Sequence, residues 1–442
     1  MDTKLKNFLI EKIKNNNIKI SIVGLGYVGL PLCLLFAKKI TTFGIDKSIN
    51  KISNFKKNID LNKQSPVKDF IKAKKVFFSS KFDSIKESQA IIVCLPTPID
   101  TNHKPDLKIL REAIVNIAKK IVRNSIIIFE STGYPGLVEE FCIPIIENYS
   151  GMEWKKDFFV GYSPERVNPN DKVHTIDKIN KLVSGDCHLT GLLIQCLYRK
   201  IISPRKVILV SSIKVAEAAK VIENTQRDIN IGLMNEVAII CNKLNIDTKE
   251  VLDAAATKWN FIKFSPGLVG GHCIGVDPYY LKFKSKNIGY QPRIISSGRS
   301  VNDGMADYIV KIINNKIKKK NKKINILFLG VAFKENCLDI RNSKNAEVIN
   351  KIIKKKRFNV HVYDPLVNYL ELKKEYKINL IKKSKLLTKY EVIVALCPHK
   401  EITKDLNYFL KKINYNKGYL FDIKSIFNKQ QLVKNKINFW RL

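Results

Sequence analysis

The chain has 442 residues, of which 45% are hydrophobic, and its 78 Lys and Arg residues against 40 Asp and Glu give a formal net charge of +38. This length predicts two or three domains, and because no run of 18 apolar residues occurs, we expect no membrane span and no membrane partner. Nine cysteines and six histidines lie scattered without a C-x-x-C pair or a ligand-spaced cluster, which argues against a disulfide framework or a metal site and favours a reducing, cytoplasmic location.

The positive charge is spread along the chain rather than gathered in one segment. Lysine-rich stretches such as 316–323 and 354–357 lie between apolar segments and are typical of solvated helix ends or loops. We interpret the charge as a compositional bias toward Lys, Asn and Ile, with a functional polyanion-binding surface as the alternative. A diffuse positive charge would still favour an anionic substrate such as a nucleotide diphosphate.

In chain order, residues 1–17 alternate lysines with apolar residues and lack the apolar core and cleavage site of a signal peptide, so we expect an N-terminal extension. From 18 to 205, β-rich runs alternate with helix-period stretches such as 30–39 and 107–123. This alternation predicts a doubly wound parallel sheet. The predicted strands are 17–23, 41–46, 76–79, 90–95, 125–131 and 158–162.

The middle of the chain, 206–317, has a different character. Residues 212–244 carry apolar side chains at helical spacing without Pro, which predicts one long helix or a closely linked pair. Residues 247–257 continue the helical pattern, and 265–275 form a glycine-rich loop. From 318 to 442 the α/β pattern returns, with strands predicted at 324–329, 359–363, 392–396 and 419–423. We therefore predict an α/β fold of two doubly wound Rossmann-like domains joined by a long central helix and a helical connector.

The turn after the first predicted strand carries a G-x-G-x-x-G pattern that opens a helix. Its first glycine permits the tight turn, its second lets the backbone approach a pyrophosphate, and its third lets helix and strand pack closely. The free N–H groups at the helix start can bind phosphates. The candidate cofactor-binding residues here are Gly24, Gly26, Tyr27, Val28 and Gly29.

The next predicted strand ends in a carboxylate, Asp46, twenty residues after Gly26. A carboxylate at this position can bind the ribose hydroxyls and repels a 2′-phosphate. Together with the glycine pattern, Asp46 predicts NAD as the cofactor in preference to NADP. The nearby Lys47 and Lys51 weaken that preference slightly.

Hydroxyl side chains follow two further predicted strands. Thr97 lies in the segment 95–98 and Thr132 in 130–132. In an open parallel sheet, ligands bind beyond the carboxyl ends of the strands, so both threonines are expected to face the cofactor. Each segment alone is more typical of an ordinary loop.

The loop 265–275 contains four glycines, three of them in the segment 267–273 that ends in Cys273. Glycines let the backbone come close to a ligand, and a thiolate stabilised by cationic neighbours can act as a nucleophile. Cys273 has glycine and polar flanks. Other cysteines lie in apolar runs and are interpreted as small buried side chains, namely Cys33, Cys94, Cys241 and Cys397.

Five segments form an ordered set of motifs, at 24–31, 163–166, 217–224, 270–273 and 333–341. In this order they resemble the UDP-glucose/GDP-mannose dehydrogenase family over about residues 20–423. The resemblance implies a four-electron oxidation of a nucleotide sugar's primary alcohol with two NAD⁺. It also implies that the long helix forms a homodimer or higher homo-oligomer.

The resemblance also implies roles for individual residues. Cys273 would be the nucleophile that forms a thiohemiacetal and then a thioester, while Lys220, as base or oxyanion stabiliser, and Asn224 would face the reacting carbon from one helix face. Water would be held or activated by Asp277, Glu165 and Thr132. Cofactor contacts are implied for Lys51 and Arg341. Substrate contacts are implied for Glu165, Arg166, Lys220, Asn224, Phe264, Gly270 and Lys334.

The residues around the nucleophile distinguish branches of the family. His272 precedes Cys273 and 274–280 follow it, as in the N-acetylhexosamine branch, particularly the Vi-antigen and O-antigen type. The implied reaction is oxidation of C6 of UDP-N-acetylglucosamine or UDP-N-acetylgalactosamine for surface polysaccharide, with UDP-glucose as the alternative substrate. Lys51 replaces an Arg of many relatives and Leu338 a Pro, neither of which removes a required functional group.

Two other functions stay open at this point. A non-enzymatic NAD-binding module could use the same fold, because fold does not determine function. The joint presence of Cys273, Lys220, Asn224, Glu165 and Asp277 argues against it. A nucleic-acid-binding protein is suggested by charge alone, and no nucleic-acid-binding module is recognisable.

Overall fold

A computed structural model describes residues 1–61, 65–167, 175–317, 323–414 and 418–442. In it the chain forms two compact units. The N-terminal unit comprises Met1–Glu223 and Tyr279–Tyr290, and the C-terminal unit comprises Asn224–Pro278 and Gln291–Leu442. Part of the lysine-rich stretch 316–323 lies outside the described residues. In the stretch 354–357, residues 354–356 are exposed just after a helix, as predicted, whereas Arg357 is half-buried and donates to Asn314 and Ile317.

The N-terminal unit is built on an eight-stranded sheet of order β3-β2-β1-β4-β5-β6-β7-β8. Neighbouring strands are parallel except β6 and β7, which pair antiparallel. Its elements are α1 Thr3–Lys14, β1 Lys19–Val23, α2 Gly29–Ala37, β2 Thr41–Ile45, α3 Ile49–Lys56, α4 Val67–Lys72, β3 Val76–Ser79, β4 Ala90–Val93, α5 Lys108–Ala118, β5 Ser125–Phe129, α6 Ile143–Ser150, β6 Phe158–Tyr162, β7 Lys181–Gly185, α7 His188–Tyr198, β8 Val207–Leu209 and the first part of α8 Ile213–Leu244.

The sheet positions the predicted cofactor loops. Strand β1 lies between β2 and β4, so the strand order reverses there and the loops after β1 and β4 leave the same edge. A reversal of this kind is where doubly wound sheets bind ligands. The central strands are rich in Ile and Val and are fully buried, which suits strands covered by helices on both faces.

The predicted N-terminal extension forms helix α1. The carboxylate of Asp2 caps the helix by accepting a hydrogen bond from the N–H of Leu5 at 2.7 Å. Leu9 and Ile13 are buried on its inner face, where α1 packs against α7. The extension therefore belongs to the hydrophobic core of the N-terminal unit.

The C-terminal unit contains a five-stranded parallel sheet of order β10-β9-β11-β12-β13. Its elements are the rest of α8, α9 Thr248–Ala255, the start of α10 Asp277–Asn287, α11 Arg293–Lys316, β9 Ile324–Leu329, α12 Lys344–Ile353, β10 Phe358–Tyr363, α13 Tyr369–Tyr376, β11 Val392–Ala395, α14 Lys400–Lys404, α15 Leu406–Lys411, β12 Tyr419–Asp422, α16 Lys429–Lys434 and β13 Asn438–Arg441.

A buried polar network joins α8 and α11 within the C-terminal unit. The Arg299 guanidinium lies 2.6 Å from the Asp228 carboxylate, and Asn302 donates to the same carboxylate at 2.8 Å. Asn235 donates to Asn302 at 2.8 Å and also binds both the N–H (2.7 Å) and the C=O (3.0 Å) of Gly267. The network therefore connects the long helix to the start of the glycine-rich loop.

Candidate active site

The glycine pattern after β1 forms a tight turn with one open position. Gly24 has a φ of +93°, and a Cβ added there would lie 2.6 Å from the carbonyl oxygen of Cys94. A Cβ on Gly29 would lie 1.8 Å from the carbonyl oxygen of Gly24, whereas one on Gly26 would meet nothing within 4 Å. Gly24 and Gly29 are thus required by the packing, while Gly26 leaves space that fits a dinucleotide's diphosphate. Tyr27 and Val28 between them are half-buried.

Asp46, just past β2, is held by the same loop. Its carboxylate accepts hydrogen bonds from the N–H groups of Leu25 at 3.1 Å and Ser48 at 3.0 Å. The ammonium group of Lys51 lies 3.2 Å from the same carboxylate. The structure therefore brings together two of the predicted cofactor residues, Asp46 and Lys51, beside the glycine turn.

The two predicted threonines lie in loops that are hydrogen-bonded to each other. The Thr97 hydroxyl donates to the carbonyl oxygen of Thr132 at 2.7 Å, and the N–H of Leu95 donates to the Ser131 hydroxyl at 2.9 Å. The Tyr280 hydroxyl also donates to the carbonyl oxygen of Thr97, at 3.0 Å. The loops after β4 and β5 are thus fixed next to one another, as the sheet edge predicts.

Glu165, Arg166 and Lys220 lie in the N-terminal unit and are linked through a residue not predicted from the sequence. One oxygen of Glu165 accepts from the N–H groups of Arg166 (2.7 Å) and Val167 (2.5 Å). The Arg166 guanidinium pairs with Glu223 at 2.9 Å, and Glu223 lies 4.0 Å from the buried Lys220 ammonium group. Glu223 could have been found from its i,i+3 spacing to Lys220 on the helix.

A cluster of buried charges, likewise not predicted, lies behind Glu165. The Lys181 ammonium group is 2.9 Å from the Glu130 carboxylate and 3.5 Å from that of Glu165. The Tyr198 hydroxyl donates to the other oxygen of Glu130. Burial raises the pKa of Glu130; burial lowers that of Lys181, but the two carboxylates outweigh it and raise its pKa overall.

Glu217, part of the motif at 217–224, anchors the start of α8. Its fully buried carboxylate accepts hydrogen bonds from the N–H groups of Gly136 at 2.6 Å and Val138 at 3.0 Å. Burial raises the pKa of Glu217 to about 8. The geometry indicates that this residue holds the segment after β5 against α8.

In the C-terminal unit, Cys273 lies just before helix α10. Its carbonyl oxygen accepts hydrogen bonds from the N–H groups of Val276 (3.0 Å) and Asp277 (2.8 Å), which form the first turn. The Asn224 amide donates to the buried Asp277 carboxylate at 2.6 Å. Cys273 is exposed, whereas the four cysteines interpreted as buried side chains are buried, as predicted.

The glycine-rich loop packs against the late motif, 333–341, without room for side chains. A Cβ on Gly270 would lie 2.6 Å from the carbonyl oxygen of Asn342, and one on Gly271, whose φ is +83°, would lie 2.7 Å from the Phe333 ring. The predicted substrate residues Phe264 and Lys334 are half-buried in the same unit. The structure therefore brings the glycine-rich loop next to the late motif.

Arg341 and His272 share one electrostatic environment. The Arg341 guanidinium pairs in bidentate fashion with Asp339, at 2.6 to 3.1 Å. Burial, reinforced by the Arg341 cation, lowers the pKa of His272 to about 4, so this imidazole is neutral at neutral pH. The sequence also missed Lys424, whose ammonium group donates to the carbonyl oxygen of Pro266 at 3.4 Å.

The predicted site residues form one group in each unit. The first group is Gly24, Gly26, Tyr27, Val28, Gly29, Asp46, Lys51, Thr97, Thr132, Glu165, Arg166 and Lys220, and the second is Asn224, Phe264, Gly270, Cys273, Asp277, Lys334 and Arg341. Within the described parts of the chain, no group of three or more His, Cys, Asp or Glu side chains could hold a metal ion. The helices of these same parts include none long and apolar enough to cross a membrane.

Comparison with known proteins matches three family models along the chain. They are those of the UDP-glucose/GDP-mannose dehydrogenase family for the NAD binding domain (residues 18–202), the central domain (214–304) and the UDP binding domain (327–429).

Similar proteins span nearly the whole chain. Protein CapL of Staphylococcus aureus is 44% identical over 429 residues, covering 96% of this chain and 100% of that protein. The UDP-N-acetyl-D-glucosamine 6-dehydrogenase of Salmonella typhi is 43% identical over 419 residues, covering 94% and 98%. The solved structure of a UDP-D-ManNAc dehydrogenase from Pyrococcus horikoshii superposes with a TM-score of 0.82 at 26% identity, covering 96% of this chain and 99% of that one.

Proposed function

This chain belongs to the UDP-glucose/GDP-mannose dehydrogenase family, and on that premise we propose that it oxidises C6 of a UDP-N-acetylhexosamine to the uronate. The predicted family, the two Rossmann-like domains, NAD as cofactor and the class of NAD-dependent nucleotide-sugar dehydrogenase are confirmed. The observation that carries the sugar assignment is the 43% identity, over nearly full length, to a UDP-N-acetyl-D-glucosamine 6-dehydrogenase.

We propose a covalent mechanism with Cys273 as nucleophile. NAD⁺, when bound, accepts a hydride at each of two oxidations. Lys220 removes the proton of the C6 hydroxyl or stabilises the oxyanion, and the Cys273 sulfur adds to the resulting aldehyde. The second oxidation leaves a thioester. In total, one alcohol, two NAD⁺ and one water give one carboxylate, two NADH and three protons.

We assign thioester hydrolysis to Glu165 and Asp277. Glu165, with Thr132, holds and activates water, and Asp277 orders the site through its 2.6 Å hydrogen bond with Asn224. The exposure of Cys273 supports its role, because a nucleophile must reach its substrate. Lys334 and Arg341 are proposed to contact substrate and cofactor, respectively, since Arg suits phosphate groups.

The proposed division of labour follows the chain. Residues 18–205, after the extension 1–17, bind NAD; 206–317 hold the nucleophile loop and the dimerisation helix; and 318–442 bind the UDP-sugar. We also propose a cytoplasmic location and a role of the uronate in surface polysaccharide, in line with the resemblance to the Vi-antigen and O-antigen type.

We propose that helix α8 pairs two copies of the chain. Five apolar side chains of α8 are roughly half exposed: Val215, Ile222, Leu233, Ile240 and Leu244. Their separations of 7, 11, 7 and 4 residues place them along one face of the helix. An exposed apolar stripe of this kind is typical of a self-complementary two-fold interface, which would bury it.

The decisive experiment measures NADH formation with four nucleotide sugars at equal concentration. UDP-N-acetylglucosamine and UDP-N-acetylgalactosamine should give the highest kcat/KM, with two NADH per sugar. UDP-glucose should be poor, since a site that hydrogen-bonds the acetamido group discriminates against analogues lacking it, and GDP-mannose should be poorest. If UDP-glucose is preferred, the sugar assignment is wrong; if none of the four sugars yields NADH, the proposed substrate class is wrong.

A further inference from the structure

A fully buried ion cluster lies in the N-terminal unit directly behind Glu165. We define the Lys181 cluster as Lys181, the first residue of β7, with Glu130, the residue that follows β5, and Tyr198, the last residue of α7. The side chains of Lys181 and Glu130 are 1% and 0% exposed. Lys181 lies 2.9 Å from Glu130, whose second oxygen accepts from the Tyr198 hydroxyl.

The cluster is an expensive way to stabilise a fold. Moving an ammonium group and a carboxylate out of water costs several kcal/mol per ion, and well-packed apolar side chains often replace such pairs without loss of stability. A completely buried lysine shared by two carboxylates therefore calls for an explanation beyond packing. The position of its second partner, Glu165, supplies one.

Lys181 contacts both the Glu165 side chain and the peptide that precedes it. Its ammonium group lies 3.5 Å from Oε2 of the Glu165 side chain and donates to the carbonyl oxygen of Pro164 at 3.2 Å. Oε1 of Glu165 is held by the N–H groups of Arg166 and Val167. Both oxygens and the preceding peptide are thus fixed, which leaves a lone-pair position on Oε2 for a water molecule.

We propose that Lys181 is a positioning residue for the hydrolytic half of the reaction. This inference rests on the proposed function of Glu165. In that step the water oxygen bonds to the thioester carbon, the water proton passes to Glu165, and the carbon–sulfur bond breaks so that Cys273 leaves as a thiolate. Lys181 touches none of the reacting atoms; it holds the carboxylate within reach of the water.

The test separates positioning from folding by restoring the charge balance. Lys181→Met alone leaves the Glu130 charge buried and uncompensated and should lower the Tm. The double variant Lys181→Met/Glu130→Gln removes both charges and should recover most of the lost Tm. It still lacks the ammonium group that contacts Glu165. Two single variants serve as controls. Glu130→Gln keeps the contacts of Lys181 with Glu165 and Pro164, and Tyr198→Phe removes only the hydrogen bond from the Tyr198 hydroxyl to Glu130.

Rapid mixing with NAD⁺ and the best UDP-sugar gives the readout. The double variant should release a burst approaching two NADH per active site and then turn over roughly 10- to 100-fold more slowly than the unmodified chain. This is less than the roughly 100- to 10,000-fold contribution of a general base, because Glu165 is still present. Mass spectrometry of the quenched protein should show a sugar acyl group on Cys273. Both controls should retain steady-state turnover within a few-fold.

Two results would overturn the inference: recovery of normal turnover in the double variant, or a burst and acyl adduct that fall together with turnover. If the methionine variants do not fold, Lys181→Gln/Glu130→Gln keeps a donor for Pro164 without the charge, and the same burst decides the question. Absence of NADH formation by the unmodified chain would instead refute the proposed function.

Discussion

The glycine turn after β1 supports a prediction that separates folding from cofactor binding. Gly24→Ala forces an alanine to a φ of +93° and brings its Cβ within 2.6 Å of the Cys94 carbonyl oxygen. The left-handed backbone costs about 1–2 kcal/mol and overpacking typically about 1–3 kcal/mol. Together these lower the free energy of unfolding by roughly 2–5 kcal/mol, or the Tm by on the order of 5–15 °C for a domain of this size.

Gly26→Ala should leave the stability unchanged and weaken NAD⁺ binding. A Cβ there meets nothing within 4 Å, so we expect a Tm within about 1 °C of the unmodified chain. The methyl group would nevertheless occupy the space where the backbone approaches the diphosphate. We expect the Kd for NAD⁺ to rise at least about tenfold, which corresponds to about 1.4 kcal/mol of binding free energy.

Differential scanning fluorimetry gives the Tm, and isothermal titration calorimetry with NAD⁺ gives the Kd. Gly304→Ala is a matched control, because its Cβ also meets nothing within 4 Å but it lies in α11 of the other unit. It should leave the Kd for NAD⁺ unchanged and raise the Tm by a few °C, because Ala is favoured over Gly in a helix interior by about 1 kcal/mol. If Gly26→Ala keeps both the Tm and the NAD⁺ affinity of the unmodified chain, the open position is not the diphosphate site.

Four further predictions address the remaining features. Cys273→Ser should reduce acid formation by orders of magnitude while calorimetry still detects NAD⁺ binding, because a serine hydroxyl is a poor nucleophile near neutral pH; near-normal turnover would rule out the covalent mechanism. The kcat/KM for NAD⁺ should exceed that for NADP⁺. The Asp46→Ala variant should lower the ratio of the two kcat/KM values at least about tenfold, because it removes the carboxylate that repels the 2′-phosphate of NADP⁺. The unmodified chain should sediment as a dimer or larger oligomer, and the double variant Leu233→Glu/Ile240→Glu should sediment as a monomer. If the unmodified chain is monomeric and fully active, the proposed α8 interface is refuted. The pKa of His272 is lowered to about 4, so below about pH 6.5 the unfolded state binds a proton that the folded state does not, and the free energy of unfolding decreases as the pH falls. Urea unfolding at pH 7 and pH 5 measures this decrease. In the His272→Gln variant the decrease should be smaller by roughly 2 kcal/mol.

The sequence alone determined most of the sheet cores and the turns that carry the motifs. Hydrophobic runs located strands such as Phe158–Tyr162 and Ile324–Leu329 to the residue, because buried parallel strands need uninterrupted apolar side chains. Helix ends were less certain: the stretch 107–123 became Lys108–Ala118, since the following residues turn back toward β5. The glycine turn and the exposed Cys273 were also predictable, because both depend on local residue types.

Three strands left too little local pattern to be predicted. Strand β7 begins with Lys181, a residue typical of loops. Strand β8 has three residues and lies in the apolar run 207–210, which is too short to distinguish a strand from a buried helical turn. Strand β13, Asn438–Arg441, begins and ends in polar residues. The antiparallel pairing of β6 with β7 likewise depends on the path of the chain between them rather than on either sequence.

Only the tertiary structure decided which charged residues are buried and with what partners. In the sequence, Lys181 is one of many lysines, and nothing nearby distinguishes it from the solvated ones. In the fold, its ammonium group lies between Glu130 and Glu165, contributed by different strand ends. Glu217 and Asn235 likewise bind backbone groups of distant segments. Periodicity reports the environment of a residue along its own element, whereas an ion pair between elements exists only once the sheet order has brought their ends together.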